Sequence, residues 1–197
     1  METEIEAKFL DIDPDALRIK LKDLGARLVH PERLMKRRIF DFPDLRLDRN
    51  GSWLRLRDEG NQVTLSFKHW TRHAIDGIQE VSITVSDFLQ AENILRAIGL
   101  EEKSYQETKR ETWMLELAEI VIDTWPWLPP FVEVEAPSQE EVGATASNLG
   151  LDFNSALFGG VIGVYQRYYD VNREEIDRCS AITFSPVPDW LAARRRT

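Results

Sequence analysis

Glu4, Glu6 and Lys8 stand at alternate positions of the opening segment, with Ile5, Ala7 and Phe9 in the intervening positions. In an extended chain alternate side chains share a face, so two carboxylates and an ammonium group point one way and the apolar residues the other. The same alternation sets Arg55 and Arg57 against Leu54 and Leu56, Glu133 and Glu135 against Val132 and Val134, Lys68 against Phe67, and Glu80 against Val81. Hard carboxylate oxygens suit Mg²⁺ or Mn²⁺, while guanidinium forks and compact ammonium groups suit phosphate oxygens. Acids follow acids and bases follow bases along a strand, an arrangement that repels mildly and implies a stabilising partner outside the strand. Taken singly, each pair also fits a solvated strand face.

The elements that must position these groups are legible from period and punctuation. Asp13 and Pro14 start a helix whose apolar stripe is Leu17, Leu21 and Leu24 and which ends at Gly25. A second helix follows Ser86 and carries Leu89, Ile94, Leu95 and Ile98 to Gly99. A third opens on a capping box, Ser138 with Glu141, and runs through Val142, Ala146 and Leu149 to Gly150. Residues 34–41, 52–58, 62–68, 78–85, 104–115, 119–125 and 131–136 read as strands, with turn signals at Asn50-Gly51, Gly60-Asn61 and Asp76-Gly77. A further helix is predicted within 155–171. Residues 172–197, with Pro186, Pro188 and the run Arg194 to Arg196, read as a loosely held tail behind a domain of residues 1–171.

Bulk composition narrows the class of protein. The chain has 197 residues, 43% hydrophobic and 30% charged, with a formal charge of −9. Such a chain can bury one sizeable core, and its acidity makes it a poor general binder of nucleic acid, whose phosphates need a basic surface. Cys179 is the single cysteine, which excludes an internal disulfide and a thiolate cage and suggests a reducing, cytoplasmic setting. No apolar run approaches the roughly 20 residues of a membrane span, and no signal-peptide pattern opens the chain. Gly159, Gly160 and Gly163 lack the Gly-Lys-Ser/Thr of a phosphate loop, and His69 and His73 read as loop histidines.

Three amphipathic helices can cover the apolar faces of the strands if an antiparallel sheet curves with its charged face inward. The fold class is therefore α+β. Closure would gather Glu4, Glu6, Glu80, Asp123, Glu133 and Glu135 with Lys8, Arg55, Arg57, Lys68 and Arg110. Unpaired ions in such an interior cost several kcal/mol, so water, ions and a ligand belong there. An acidic half facing a basic half describes a metal-bound polyphosphate.

The run Glu4-Ile5-Glu6-Ala7-Lys8 resembles the ExExK signature of the CYTH, or triphosphate tunnel metalloenzyme, superfamily. The later motifs follow in the family's order: Phe40-Asp41, Trp53-Leu54-Arg55-Leu56-Arg57, Lys68, Glu80, Lys109-Arg110 with Trp113, Asp123, and Phe131-Val132-Glu133-Val134-Glu135. This resemblance, over roughly residues 2–170, implies a closed eight-stranded antiparallel β-barrel with helices packed outside. It implies that Glu4, Glu6, Glu133 and Glu135 hold a divalent metal, with Asp123 and Glu80 supporting it or holding a second ion. Lys8, Arg55, Arg57, Lys68 and Arg110 become the phosphate clamp, Arg110 being chosen over its neighbour Lys109. Turnover is expected to depend on Glu4, Glu6, Lys8 and Arg57. Where many members carry further acids after Glu80 this chain has Ser82 and Thr84, and where many carry a basic residue near the last helix it has Gly159, Gly160 and Val161.

The implied activity is metal-dependent hydrolysis of a triphosphate-bearing small molecule. The alternatives are an adenylate cyclase forming cyclic AMP and pyrophosphate, which needs an adenine pocket, and a non-enzymatic sensor of polyphosphate or nucleotide. No nucleic-acid or membrane partner is expected, and a homodimer stays open.

Overall fold

The computed structural model describes residues 1–196. Its strands are β1 (Glu2–Glu4), β2 (Glu6–Phe9), β3 (Arg27–Asp41), β4 (Ser52–Asp58), β5 (Val63–Trp70), β6 (Ile78–Val85), β7 (Glu101–Leu115), β8 (Ala118–Thr124), β9 (Phe131–Glu135) and β10 (Ala181–Ile182). The helices are α1 (Pro14–Asp23), α2 (Arg46–Arg49), α3 (Phe88–Ala97), α4 (Gln139–Leu149), α5 (Ile162–Tyr168), α6 (Arg173–Asp177) and α7 (Asp189–Ala192).

The sheet runs in the order β1-β6-β5-β4-β3-β7-β8-β9-β2, with every neighbouring pair antiparallel. Its two edge strands, β1 and β2, are halves of one extended segment broken at Ile5, so the chain itself joins the two edges and the sheet becomes a nearly closed barrel. Counted as one strand, those halves give the expected eight-stranded barrel. Joining them removes the unpaired rows of backbone groups that an open sheet would expose. Around the break, Glu6 N donates to Ile75 O at 3.1 Å and Ala136 N donates to Ile5 O at 3.2 Å.

The helices begin where short side chains can accept the first free backbone N–H groups. Asp13 accepts from Asp15 N and Ala16 N, and Ser138 accepts from Glu141 N at 3.2 Å. The cap of α3 is Asp87, accepting from Gln90 N, one residue past the expected Ser86. Leu17 and Leu21 of α1 and Val142 and Ala146 of α4 pack with Ala7, Ile120, Val132 and Val134 on the outer face of the barrel. Ala91 and Leu95 of α3 cover Phe40 and Leu56 in a second apolar cluster. Burying one such Leu or Val side chain contributes about 1.5–3 kcal/mol. The apolar halves of the strands thus face out, under the helices, and the charged halves face in.

Two expectations about the C-terminal part change. The helix predicted within 155–171 begins only at Ile162, after a 3₁₀ turn over Phe153–Ser155 and a left-handed Gly159 at φ 88°. Residues 172–196 are not loosely held. Ile176, Ile182 and Leu191 are buried in a third cluster with Trp125, Phe131, Tyr165 and Tyr169, and β10 pairs parallel with β7 at Tyr105 and Gln106. Among the described residues no helix is long and apolar enough to cross a membrane.

Candidate functional site: a charged tunnel

A cavity of about 1140 Å³ runs through the barrel. Every residue singled out for chemistry in the sequence lines it: Glu4, Glu6, Lys8, Arg55, Arg57, Lys68 and Glu80 from the first half of the chain, and Arg110, Asp123, Glu133 and Glu135 from the second. Arg110 faces inward, whereas Lys109 is half exposed and faces Glu32 at 4.0 Å. His69 belongs to β5, with Nδ1 2.9 Å from Ser52 Oγ, and His73 lies in the following loop against Trp70.

Acids and bases interleave here, rather than standing as opposite halves. Lys8 pairs with Glu133, Lys68 with Glu80 and Arg110 with Asp123, and each pair consists of direct cross-strand register partners. Lys8 Nζ lies 2.6 Å from Glu6 Oε1 and 3.4 Å from Glu133 Oε1. Lys68 Nζ lies 2.6 Å from Glu4 Oε1 and 2.8 Å from Glu80 Oε2, and Arg55 Nη2 reaches Glu80 Oε1 at 3.5 Å. Arg110 donates to Asp123 at 2.8 and 2.5 Å and to Glu133 at 2.8 Å. Asp123 therefore acts in this arrangement as the buried anchor of a guanidinium, and Trp125 Nε1 points at its second oxygen from 3.4 Å.

Burial opposes the charge on Lys8, yet Glu133 and Glu6 outweigh it and hold the ammonium pKa above its ordinary value. Burial also pushes the Glu4 carboxyl up, helped by the neighbouring Glu80 and Glu6 carboxyls, while Glu80 is drawn down against burial by Glu4, Lys68 and Arg55. Glu135 is pushed up to about 7 by burial and by the neighbouring Glu6 and Glu119.

Those last acids form a row: Glu6 pairs in register with Glu135 across β2 and β9, and Glu135 with Glu119 across β9 and β8. Like charges directly opposite destabilise a sheet. Glu4 Oε2 is buried with no hydrogen-bond partner. Among the described residues no three His, Cys, Asp or Glu side chains already converge as a metal cage. The repelling row and the orphaned Glu4 oxygen nevertheless fit a hard divalent cation, whose charge and oxygen preference meet both.

Several residues of the site lie outside the motifs picked out in the sequence. Arg37 lines the cavity, buried to 5% exposure, with Nη2 donating to Thr108 Oγ1 at 2.7 Å and its guanidinium 4.5 Å from the centre of the Trp125 ring. Its signal was Phe40: since Phe40 packs outward under α3, Arg37 and Ile39 must face in. Glu59 accepts from Arg57 Nε and Nη2 at 2.9 and 2.6 Å, and from Thr64 Oγ1 at 2.9 Å. Glu119 shows the same alternation as its register partner Glu135 and was also legible.

A family model described as the CYTH domain matches residues 2–178. No curated protein matches the chain. Among solved structures, a candidate adenylate cyclase from Vibrio parahaemolyticus is 16% identical, with a TM-score of 0.73, covering 84% of this chain and 98% of that one. A protein from Pyrococcus horikoshii OT3 is 18% identical, with a TM-score of 0.68, covering 82% and 98%. A candidate adenylyl cyclase from Hippeastrum, described as having a dominant triphosphatase activity, is 16% identical, with a TM-score of 0.57, covering 90% and 95%. At these identities the likeness is one of fold.

Proposed function

The chain belongs to the CYTH domain family, and from that premise we propose that it is a divalent-metal-dependent phosphohydrolase of triphosphate-bearing small molecules, such as inorganic tripolyphosphate, thiamine triphosphate or a nucleoside triphosphate. The observation that carries this reading is the shared wall: Lys8, Arg55, Arg57, Lys68 and Arg110 line the same cavity as Glu4, Glu6, Glu133 and Glu135. Phosphoryl transfer asks a protein mainly to position the chain of phosphates and to neutralise charge on the transferring group. Arg55 and Arg57 offer planar forks for paired phosphate oxygens, and Lys8 and Lys68 offer compact charges between them. Glu59 holds Arg57 in its plane, and Asp123 does the same for Arg110, so the forks lose little freedom on binding.

Glu4, Glu6, Glu133 and Glu135 are the residues that would hold the cation, with Glu80 and Asp123 behind them. When bound, a divalent ion supplies charge neutralisation and lowers the pKa of a bound water. Incoming phosphate oxygens compete for Lys8 and Lys68, which releases Glu6 and Glu4 from their present ion pairs. Substrate and cation loading are coupled in this way.

Incubating the protein with Mg²⁺ or Mn²⁺ and each of tripolyphosphate, thiamine triphosphate and ATP, then resolving the products, tests the proposal. Orthophosphate with the corresponding diphosphate is the expected result. Cyclic AMP with pyrophosphate, or binding without turnover, would overturn it.

A further inference from the structure

The barrel's register pairs cations with carboxylates at Lys8, Lys68 and Arg110, and it breaks that rule at Arg37. Directly across β3 and β4 the partner of Arg37 is Arg57, and across β3 and β7 it is Gln106. The row continues from Gln106 to Ile182 of β10, which extends the wall beside β7 where β8 has ended. Tunnel wall therefore surrounds Arg37 on both sides. Its Nε is buried without a hydrogen-bond partner.

No carboxylate pairs with it, and Asp123 offsets its surroundings only in part. Arg57 is held by Glu59, Arg55 reaches Glu80, and both oxygens of Asp123 are taken by Arg110. Among the described residues Arg37 forms no ion pair; its contacts are the Thr108 hydroxyl and the Trp125 ring. Burial depresses its basicity, and Arg55, Arg57 and Arg110 depress it further. A buried guanidinium among like charges is costly unless an anion completes it. Because it borders the cavity, the anion can come from solution.

We propose that Arg37 is a substrate-binding residue, taking an anionic oxygen of the polyphosphate chain together with Arg57 beside the wall that β10 adds. This rests on the polyphosphate reading of the tunnel and extends it to a cation that the opening motif, the paired arginines and the paired glutamates do not include. Trp125 holds the guanidinium plane by stacking, and Thr108 fixes Nη2, so Nη1 is left for ligand. The predicted ligand carries dense negative charge, as a phosphate chain does, because Arg37 adds an unpaired cation to a wall that already holds Arg55, Arg57 and Arg110.

The test is calorimetric titration of wild type, Arg37→Met and Arg37→Lys with inorganic tripolyphosphate, alongside their melting temperatures with and without it. Charge-assisted hydrogen bonds of this kind predict a loss of about ten- to a hundredfold in affinity for Arg37→Met. Its unliganded melting temperature should equal or exceed that of wild type, since an uncompensated charge has been removed, and its stabilisation by tripolyphosphate should shrink. Arg37→Lys keeps the charge and should retain part of the affinity. Equal affinity in wild type and Arg37→Met would overturn the assignment, above all with a lowered unliganded melting temperature, the result a purely structural arginine predicts. A lysine variant as weak as the methionine variant would overturn it as well. Failure of the wild type to bind tripolyphosphate would sink both this inference and the polyphosphate reading, whereas tight binding unchanged by either variant would sink this one alone.

Discussion

Arg110 and Asp123 are register partners on β7 and β8, joined by hydrogen bonds of 2.8 and 2.5 Å, with Asp123 wholly buried. An ion pair placed this way orients the guanidinium toward the cavity and toward Glu133. Removing one partner of a buried pair leaves the other uncompensated and costs about 3–5 kcal/mol. Asp123→Ala is therefore expected to lower the urea midpoint strongly and to weaken tripolyphosphate hydrolysis. A variant with wild-type stability would show that the pair is not the anchor described.

Arg57→Ala and Glu4→Ala probe the proposed phosphate clamp and the proposed cation-holding wall separately. Each is expected to lower kcat/KM for tripolyphosphate by at least about a hundredfold, the scale of losing a preorganised charge contact in a transition state, while circular dichroism stays that of the folded chain. Raising the Mg²⁺ concentration should restore part of the activity to Glu4→Gln and none to Arg57→Ala. Full activity in either alanine variant removes that residue from the site.

Glu59 makes stability depend on acid. Burial favours its protonated form, but Arg57 and hydrogen bonds from Arg57, Thr64 and Gln62 outweigh burial and hold the carboxyl at about 2, below the ordinary 4.5. A depressed folded-state pKa means the stabilisation is complete above 4.5 and fades as pH falls from there through about 2. Melting temperatures of wild type and Glu59→Gln measured from pH 6 down to about 2 should differ most at the top of that range and converge at the bottom. A constant offset would contradict the assignment.

The C-terminal segment is part of the fold. Leu191 and Ile176 are buried to 2% exposure or less against Tyr165 and Tyr169, so Leu191→Ala should cost about 2–5 kcal/mol in denaturant unfolding. A loss under about 0.5 kcal/mol, the range of surface substitutions, would return the segment to a loosely attached tail.

Much of this was written in local pattern. The caps at Asp13 and Ser138, most strand spans and the alternation of Lys8, Arg57, Lys68, Arg110 and Glu133 with apolar neighbours follow from residues a few positions apart, because cap chemistry and the two-residue period of a strand are local properties; β10 and the part of β3 before residue 34 lie outside that reading. That period states which face a side chain takes.

It does not state what stands opposite. The split of the opening strand at Ile5, the pairing of Arg110 with Asp123, the juxtaposition of Arg37 with Arg57, and the seating of Ile182 beside Gln106 all depend on register between segments far apart in sequence. Closure of the barrel sets that register. The sequence by itself determined an inward charged face and most of the residues upon it. Only the tertiary structure decided which charges neutralise one another and which, like Arg37, are left facing the cavity, because pair energies depend on distances that local periodicity does not contain.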